Sequence, residues 1–248
     1  MRVEKPIGKY SRRQSQKYLK RGLLSLIPVI LLYLTSITWL PTYIYVGMFE
    51  TLRGLLAGIC ITLSAVYLWQ PLYTWKEGLE GEEFVVRNLL RRLNDDYALF
   101  SDILLKDGKR GNIDHIIAGP TGIFVIETKN NKGRIVFDSS GWKGIIGDPI
   151  QQLFRNTLRV KDVLKRSVVF NDRELHVNAI LVFSNPKIKL KLLEYPKYCS
   201  VIQINGENDT KLSELITNGS PIFSNQQIDL IEECIRSKIG NFEESLKH

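Results

Sequence analysis

Two apolar runs joined by a short turn constrain the fold of this chain more than any other feature. The stretch IDHIIAGPTGIFVIETK, residues 113–129, places runs of Ile, Val and Phe on either side of Gly-Pro-Thr-Gly. Proline and flanking glycines favour a tight turn, so the two runs are predicted to pair as antiparallel strands. The hairpin also carries Asp114, Glu127 and Lys129. Charges inside apolar strands require a chemical reason.

The register of this hairpin decides where the charged side chains point. With a loop of two or four residues, Asp114 lies opposite Glu127 at roughly 4.5 to 5.5 Å, and Lys129 lies on the same face. With a three-residue loop and a bulge at Gly122, the register slips by one residue and Glu127 turns to the other face. The sequence leaves both registers open.

In the first register, two carboxylates face each other on a largely apolar surface, where like charges repel and are poorly solvated. A divalent cation between them would relieve the repulsion, and carboxylate oxygens suit Mg²⁺, with Mn²⁺ as a substitute. Lys129 would then orient or deprotonate a water, or stabilise charge on a phosphate. The pattern favours phosphodiester hydrolysis, and a strand that simply ends in solvated charges is the alternative interpretation.

Further blocks occur in order around the hairpin. GEEFVVRNLL precedes it, the turn NNKGRI continues it, and GW and DPIQQLFRN follow. Together, from about Gly81 to Leu164, these blocks resemble the nuclease-related domain (NERD), a branch of the PD-(D/E)xK nuclease superfamily. The resemblance implies a restriction-endonuclease-like core that acts on nucleic acid with a divalent metal.

The resemblance also assigns roles to single residues: metal ligands Asp114, Glu127 and Glu82, the catalytic lysine Lys129, and the family's glutamine and asparagine, Gln152 and Asn156. Independently of it, Glu82 shares a helical stripe with Val86 and Leu89, so it is expected to face the sheet, unlike Glu83. His115 points away from Asp114 by strand alternation, so it is expected to pack or hydrogen-bond and not to bind a metal.

Four basic residues and one asparagine near these positions are candidates for contacts with phosphates. Arg155, Asn156 and Arg159 lie on the second predicted helix, and Lys132 and Arg134 lie in the turn KNNKGR. A solvated helix face and a solvated turn explain the same charges equally well.

Two charge-free segments, residues 23–40 and 54–71, each have the length at which a helix crosses a bilayer. Eight Lys or Arg residues and one acidic residue precede the first segment, and the charged residues between the two segments are only Glu50 and Arg53. The positive-inside rule therefore predicts a two-pass hairpin in the cell membrane, with both termini and the nuclease-like domain in the cytoplasm. Gly54 and Gly58 form a G-x-x-x-G pair, a feature of helices that oligomerise.

The predicted organisation has three parts: a basic tail (1–22), a transmembrane hairpin (23–75) and one soluble domain (76–248) that begins with a glycine-bearing linker, KEGLEGEE. In the soluble domain, the order is a helix (about 82–93), several strands, a helix that starts at Asp148 and Pro149, two strands, and a last helix after Ser224. This order predicts an α/β fold with a mixed sheet flanked by helices.

Charge and cysteine content exclude some function classes. The net charge is +8, but the basic tail accounts for almost all of it, so composition alone does not argue for nucleic acid. Cys60, Cys199 and Cys234 form no CxxC pair, so neither a disulfide framework nor a zinc site is indicated.

The leading hypothesis is a membrane-anchored, Mg²⁺-dependent nuclease whose expected substrate is DNA, with RNA as the other possibility. An inactive module of the same fold that binds nucleic acid or a protein at the membrane is the second hypothesis. A membrane scaffold that oligomerises through the hairpin is the third.

Overall fold

The chain divides into two units, one formed by Met1–Tyr10 with Gly78–His248 and the other by Ser11–Glu77. The computed structural model describes residues 1–4, 16, 19–20, 23–24, 26–27, 30–31, 46–107, 111–165, 175–206 and 208–239. The first predicted membrane segment, residues 23–40, lies mostly outside this described part. The second, residues 54–71, lies within a helix, α1 (Val46–Leu90).

The structure does not confirm the transmembrane hairpin. Among the residues it describes, no helix combines the length and the apolar character that crossing a membrane requires.

The strands form two sheets. In chain order they are β1 (Arg2–Glu4), β2 (Ala98–Ile103), β3 (Ile113–Gly119), β4 (Gly122–Lys129), β5 (Gly133–Asp138), β6 (Gly141–Lys143), β7 (Val177–Phe183), β8 (Ile188–Leu192) and β9 (Ser200–Gln203). The larger sheet has the order β1-β2-β3-β4-β7-β9, and the smaller one has the order β6-β5-β8. Both are mixed, since antiparallel hairpins (β3 with β4, β5 with β6) adjoin parallel pairs (β4 with β7, β5 with β8).

Helices cover both faces of the larger sheet, as the sequence predicts. They are α1, α2 (Pro149–Lys165), α3 (Lys211–Thr217) and α4 (Asn225–Lys238). One core joins α2 and α4 to the sheet face that carries Ile116 and Val125. A second core joins α3 and the C-terminal part of α1 to the opposite face, which carries Ile117 and Ile126.

The β3–β4 hairpin adopts the first of the two registers. Gly119 pairs with Gly122 across a two-residue loop, and the ladder continues to His115 opposite Ile126. This register excludes the bulged alternative. Asp114 therefore lies on the same face of the hairpin as Glu127, at the open end of the ladder.

Local sequence signals set the starts of two helices. The Asp148 side chain accepts hydrogen bonds from the backbone N–H groups of Ile150 and Gln151, at 2.9 and 3.0 Å, which caps α2 as predicted. Ser224 and Gln227 form a reciprocal capping box at the start of α4.

Two sequence predictions differ from the structure. The expected linker is wrong, because α1 runs without interruption through Gly78 and Gly81. Glycine costs only about 1 kcal/mol in a helix, and neighbouring Leu and Glu residues offset that cost. In addition, the first residues of the expected tail form β1, which pairs in parallel with β2.

Gly81 is a point of close approach between α1 and the residues that follow β4 and β7. A Cβ atom there would lie 2.7 Å from both Asn130 Cβ and Ser184 Oγ, whereas one at Gly78 would meet nothing within 4 Å. We therefore expect Gly81→Ala to lower the free energy of unfolding by about 1 to 3 kcal/mol through overpacking.

Gly78→Ala is the matched control, since it lies in the same helix and is expected to be neutral or to stabilise by up to about 1 kcal/mol. Chemical denaturation followed by circular dichroism measures both. Equal changes in the free energy of unfolding for the two substitutions would contradict the close approach at Gly81.

Candidate active site

Four sequence-predicted residues converge where β3 begins and β4 ends. Asp114 comes from β3, Glu127 and Lys129 come from β4, and Glu82 comes from α1. The three carboxyl side chains are buried, with residue exposures of 7% for Asp114, 1% for Glu127 and 8% for Glu82. Burial of three carboxyl groups in one place is costly unless cations or protons balance their charge.

The Lys129 amine is the central cation of the cluster. Its Nζ donates to Glu127 Oε1 at 2.6 Å and to Gln152 Oε1 at 3.1 Å. Gln152, on the first turns of α2, thereby fixes the direction of the amine. The side chain of Lys129 remains 23% exposed, so the cluster is accessible from solvent at the lysine.

Asp114 is held in place by the strand opposite it. Its Oδ2 accepts a hydrogen bond from the backbone N–H of Thr128 at 2.8 Å. This bond ties Asp114 to the peptide group that joins Glu127 to Thr128. The arrangement depends on the hairpin register, since a slip of one residue would place the side chains of β4 on the opposite face.

Glu82 reaches the cluster because of where α1 packs. The close packing at Gly81 brings the next residue against the end of the sheet. Glu83 is less buried and lies 3.7 Å from Arg87. The prediction that Glu82, and not Glu83, faces the sheet is therefore confirmed.

The pKa values of the cluster show how poorly its negative charges are compensated. Burial, reinforced by the charges of Asp114 and Asp102, raises the pKa of Glu82 to about 9. Burial and the charge of Asp114 raise the pKa of Glu127 to about 8, although Lys129 partly opposes the shift. Burial also raises the pKa of Asp114, more than Lys129 and the Thr128 N–H lower it.

Lys129 shows the complementary shift. Burial alone would lower its pKa, but the facing carboxyls of Glu127 and Asp114 outweigh burial and raise it above the usual value. In this structure the side chain is therefore an ammonium ion, which can stabilise negative charge but cannot accept a proton.

Asp102 is a member of the cluster that sequence reasoning missed. It lies in β2 between the pairs Ser101–His115 and Ile103–Ile113, and its backbone φ is 55°, a conformation that aspartate tolerates better than most residues. It is 9% exposed, and its Oδ1 accepts from Asn112 Nδ2 at 3.0 Å. The signal was present, since Asp102 is an acid inside the apolar run YALFSDILL.

The residues predicted on the second helix separate into buried and exposed positions. Asn156 is 6% exposed, and its amide lies close enough to Glu127 to lower the pKa of that carboxyl. Arg155 is exposed and bonds Gln151 at 3.1 Å.

Arg159, which the sequence suggests as a contact for nucleic acid, lies in a buried position. It is 4% exposed, and its guanidinium pairs with both oxygens of Asp107, at 2.7 and 3.1 Å. It also donates to the Gly111 carbonyl at 3.0 Å and to Asn156 Oδ1 at 3.3 Å. Arg159 therefore ties α2 to the connection between β2 and β3.

The remaining candidates lie outside the cluster. Lys132 and Arg134 are exposed on the segment that leaves Lys129. His115 is fully buried on the other face of the sheet, where its Nδ1 lies 3.0 Å from Ser101 Oγ and burial lowers its pKa to about 3. This contact matches the expectation that His115 hydrogen-bonds away from Asp114.

The carboxyl groups of the cluster are potential ligands of a divalent cation. Among the described residues, no three His, Cys, Asp or Glu side chains have their donor atoms arranged to hold a metal ion. Two buried carboxyl oxygens, Glu82 Oε2 and Glu127 Oε2, nevertheless have no hydrogen-bond partner. A hard cation would satisfy these buried acceptors, and it would also stabilise the charged form of Asp114, whose pKa is raised. The chemistry of the donor atoms therefore suits Mg²⁺ or Mn²⁺.

The raised pKa values predict how stability depends on pH. Unfolded glutamates ionise near 4.5, whereas folded Glu127 and Glu82 keep their protons up to about 8 and about 9. The folded state therefore binds more protons between these limits, and its stabilisation, complete at low pH, is lost as pH rises. In chelator, we expect the melting temperature to fall from pH 5 to pH 9.

Glu127→Gln should reduce the slope of this fall, and Glu83→Gln serves as a control outside the cluster. Thermal unfolding at a series of pH values measures the effect. Parallel curves for the natural protein and Glu127→Gln would contradict the pKa assignment.

Comparison with known proteins gives one match, to a family model. No match to the chain was found among curated proteins or among solved structures. A family model described as the nuclease-related domain (NERD) matches residues 77–184. The matched range contains Glu82, Asp114, Glu127, Lys129 and Gln152. The part of the chain that builds the acid–lysine cluster is thus similar to the nuclease-related domain.

Proposed function

We propose that this chain is a divalent-metal-dependent nuclease that hydrolyses phosphodiester bonds of DNA. The observation that supports the proposal most strongly is the sharing of one ammonium, Lys129, by the buried carboxyls of Glu82, Asp114 and Glu127. A purely structural ion pair would balance its charges, whereas this cluster carries an excess of acids. Strongly perturbed pKa values of this kind are characteristic of functional sites.

The residues divide the chemistry between them. Glu82, Asp114 and Glu127 would hold the metal, which supplies a polarised phosphate oxygen and a water of lowered pKa when it is bound. Lys129, as an ammonium, stabilises the negative charge that develops on the phosphate. Gln152 orients the amine through its bond to Nζ. Thr128 holds Asp114 toward the cluster through its backbone N–H.

Exposed basic residues beside the cluster are proposed to hold the nucleic acid. Arg155 lies on the outer side of α2, and Lys132 and Arg134 follow Lys129 along the chain. Contacts of this kind position the backbone without reading the base sequence. Asn156 and Arg159 are buried, so their proposed role is to support Glu127 and the β2–β3 connection.

Lys129→Ala and Asp114→Asn test the catalytic assignment. With linear and circular DNA and Mg²⁺ or Mn²⁺, each substitution is expected to lower the cleavage rate by about 100-fold or more, because it removes charge stabilisation or a metal ligand. Lys165→Ala, at the exposed end of α2, is the control and should retain the natural rate.

Equal cleavage by all these proteins would attribute the activity to a contaminant. Binding of DNA without turnover in either metal would instead support the inactive nucleic-acid-binding module.

We also propose that residues 23–75 anchor the domain to the cytoplasmic face of the cell membrane. The charge-free sequences and the preceding basic residues support this proposal, as do the side chains of Leu55, Leu56, Ile59 and Ile61, each between 48% and 64% exposed. Apolar exposure of this kind is costly in water.

Membrane anchoring predicts that the full-length chain sediments with membranes after an alkaline carbonate wash and is released by detergent. A chain in which a flexible glycine–serine linker replaces residues 11–77, so that β1 is kept, should stay in the supernatant. Release of the full-length chain by the wash would rule out an integral anchor.

A further inference from the structure

The small sheet β6-β5-β8 has one apolar face and one basic face. Along β5 and β8, Ile135 and Ile188 point into the core, with exposures of 0% and 5%. The alternate positions, Arg134 on β5 and Lys189 and Lys191 on β8, are exposed. Because side chains alternate along a strand, these three residues lie on the outer side of the sheet. They are referred to below as the basic face.

The pairing of the strands brings these cations together. Arg134 is the direct cross-strand partner of Lys189, and Lys191 pairs with Val136, whose other neighbour is Lys143. Like charges that face each other across strands are destabilising. Natural strands therefore tend to avoid such pairs unless the charges serve a purpose.

Among the residues that the structure describes, no anion compensates the charges of the basic face. Lys143 is neutralised by Asp138 at 2.6 Å, which also lowers the pKa of Asp138 to about 2. Within the described part of the chain, Arg134, Lys189 and Lys191 form no comparable ion pair. An anion from outside the chain would both pair these side chains and remove their mutual repulsion.

The basic face begins beside the acid–lysine cluster. The segments that lead to β5 and β8 leave the larger sheet together, since the Ser184 N–H bonds the Lys129 carbonyl at 3.0 Å and Asn185 Nδ2 bonds the Asn130 carbonyl at 3.2 Å. The two new strands then meet at the pair Gly133–Ile188. Arg134 follows Lys129 by five positions, which bounds the distance between their Cα atoms to about 17 Å.

We propose that the basic face binds the phosphodiester backbone of the nucleic acid substrate on one side of the bond that is cleaved. This inference rests on the proposed function and extends it to Lys189 and Lys191, which lie beyond the residues matched by the family model. A polyanion with evenly spaced charges suits a row of cations on a flat sheet. An acid–lysine cluster at the end of that row is a reason for nucleic acid, and not a lipid surface, to be the occupant.

The test compares two triple substitutions in the full-length chain, purified in mild detergent. One removes the basic face (R134Q/K189Q/K191Q), and the other removes the same charge from exposed lysines at helix ends (K165Q/K211Q/K238Q). Fluorescence anisotropy with labelled single-stranded and duplex DNA, in EDTA so that no cleavage occurs, gives the dissociation constant at several salt concentrations.

Loss of the basic face should weaken binding of at least one DNA form by about tenfold or more and reduce the salt slope by about 2 to 3, close to one per lost phosphate contact. The control should keep the natural affinity and slope. The melting temperature of the first variant should be unchanged or raised, because a repulsive pair is removed.

Equal losses of DNA affinity in the two triple variants, or no loss of affinity in R134Q/K189Q/K191Q, would overturn the inference. Neither outcome depends on whether the protein cleaves DNA. If the first variant alone loses binding while the natural protein cleaves no DNA with Mg²⁺ or Mn²⁺, the basic face stands and the nuclease assignment fails.

Discussion

The two-residue turn at Pro120 and Thr121 is the constraint on which the site depends, because it sets the register that places Asp114 and Glu127 on one face. The turn is held from several directions. Thr121 Oγ1 donates to the Ile216 carbonyl and lies 3.1 Å from the Tyr97 hydroxyl, and the Pro120 carbonyl accepts from the N–H groups of residues 222 and 223. A slip of one residue would break all of these contacts as well as invert the strand.

Secure strand pairing allows the protein to maintain an unfavourable arrangement of charge. Glu82, Asp102, Asp114 and Glu127 would repel one another wherever they ionise together, and burial increases the cost. Lys129 compensates for part of the negative charge, and protons compensate for more at neutral pH. The large apolar core formed by the two faces of the sheet supplies the stability that offsets this local cost. The same imbalance makes the site receptive to a cation.

Local signals were enough to predict much of this arrangement. The turn residues predict the hairpin but leave its register open, and the structure selects the register that places the charges on one face. Helical periodicity separates Glu82 from Glu83, and Asp148 marks the start of α2. Features that depend on distant contacts were not predictable in this way. Arg159 looks like a surface residue in sequence, but its partner Asp107 lies 52 positions away. The basic face likewise exists only once β8 pairs with β5, and helix propensity is too weak to show that α1 continues through two glycines.

The parallel pairing of β1 with β2 has a consequence for how the molecule assembles. Arg2 pairs with Ala98, so the contact closes a loop of nearly a hundred residues that includes all of Ser11–Glu77. Loop closure over such a length carries a considerable entropic cost, and contacts of this kind form slowly. During synthesis, β1 leaves the ribosome long before its partner strand exists. Because the loop closes slowly, the β2 edge of the larger sheet stays open until late in folding. Until β1 pairs with β2, the nascent chain is prone to aggregation through that edge.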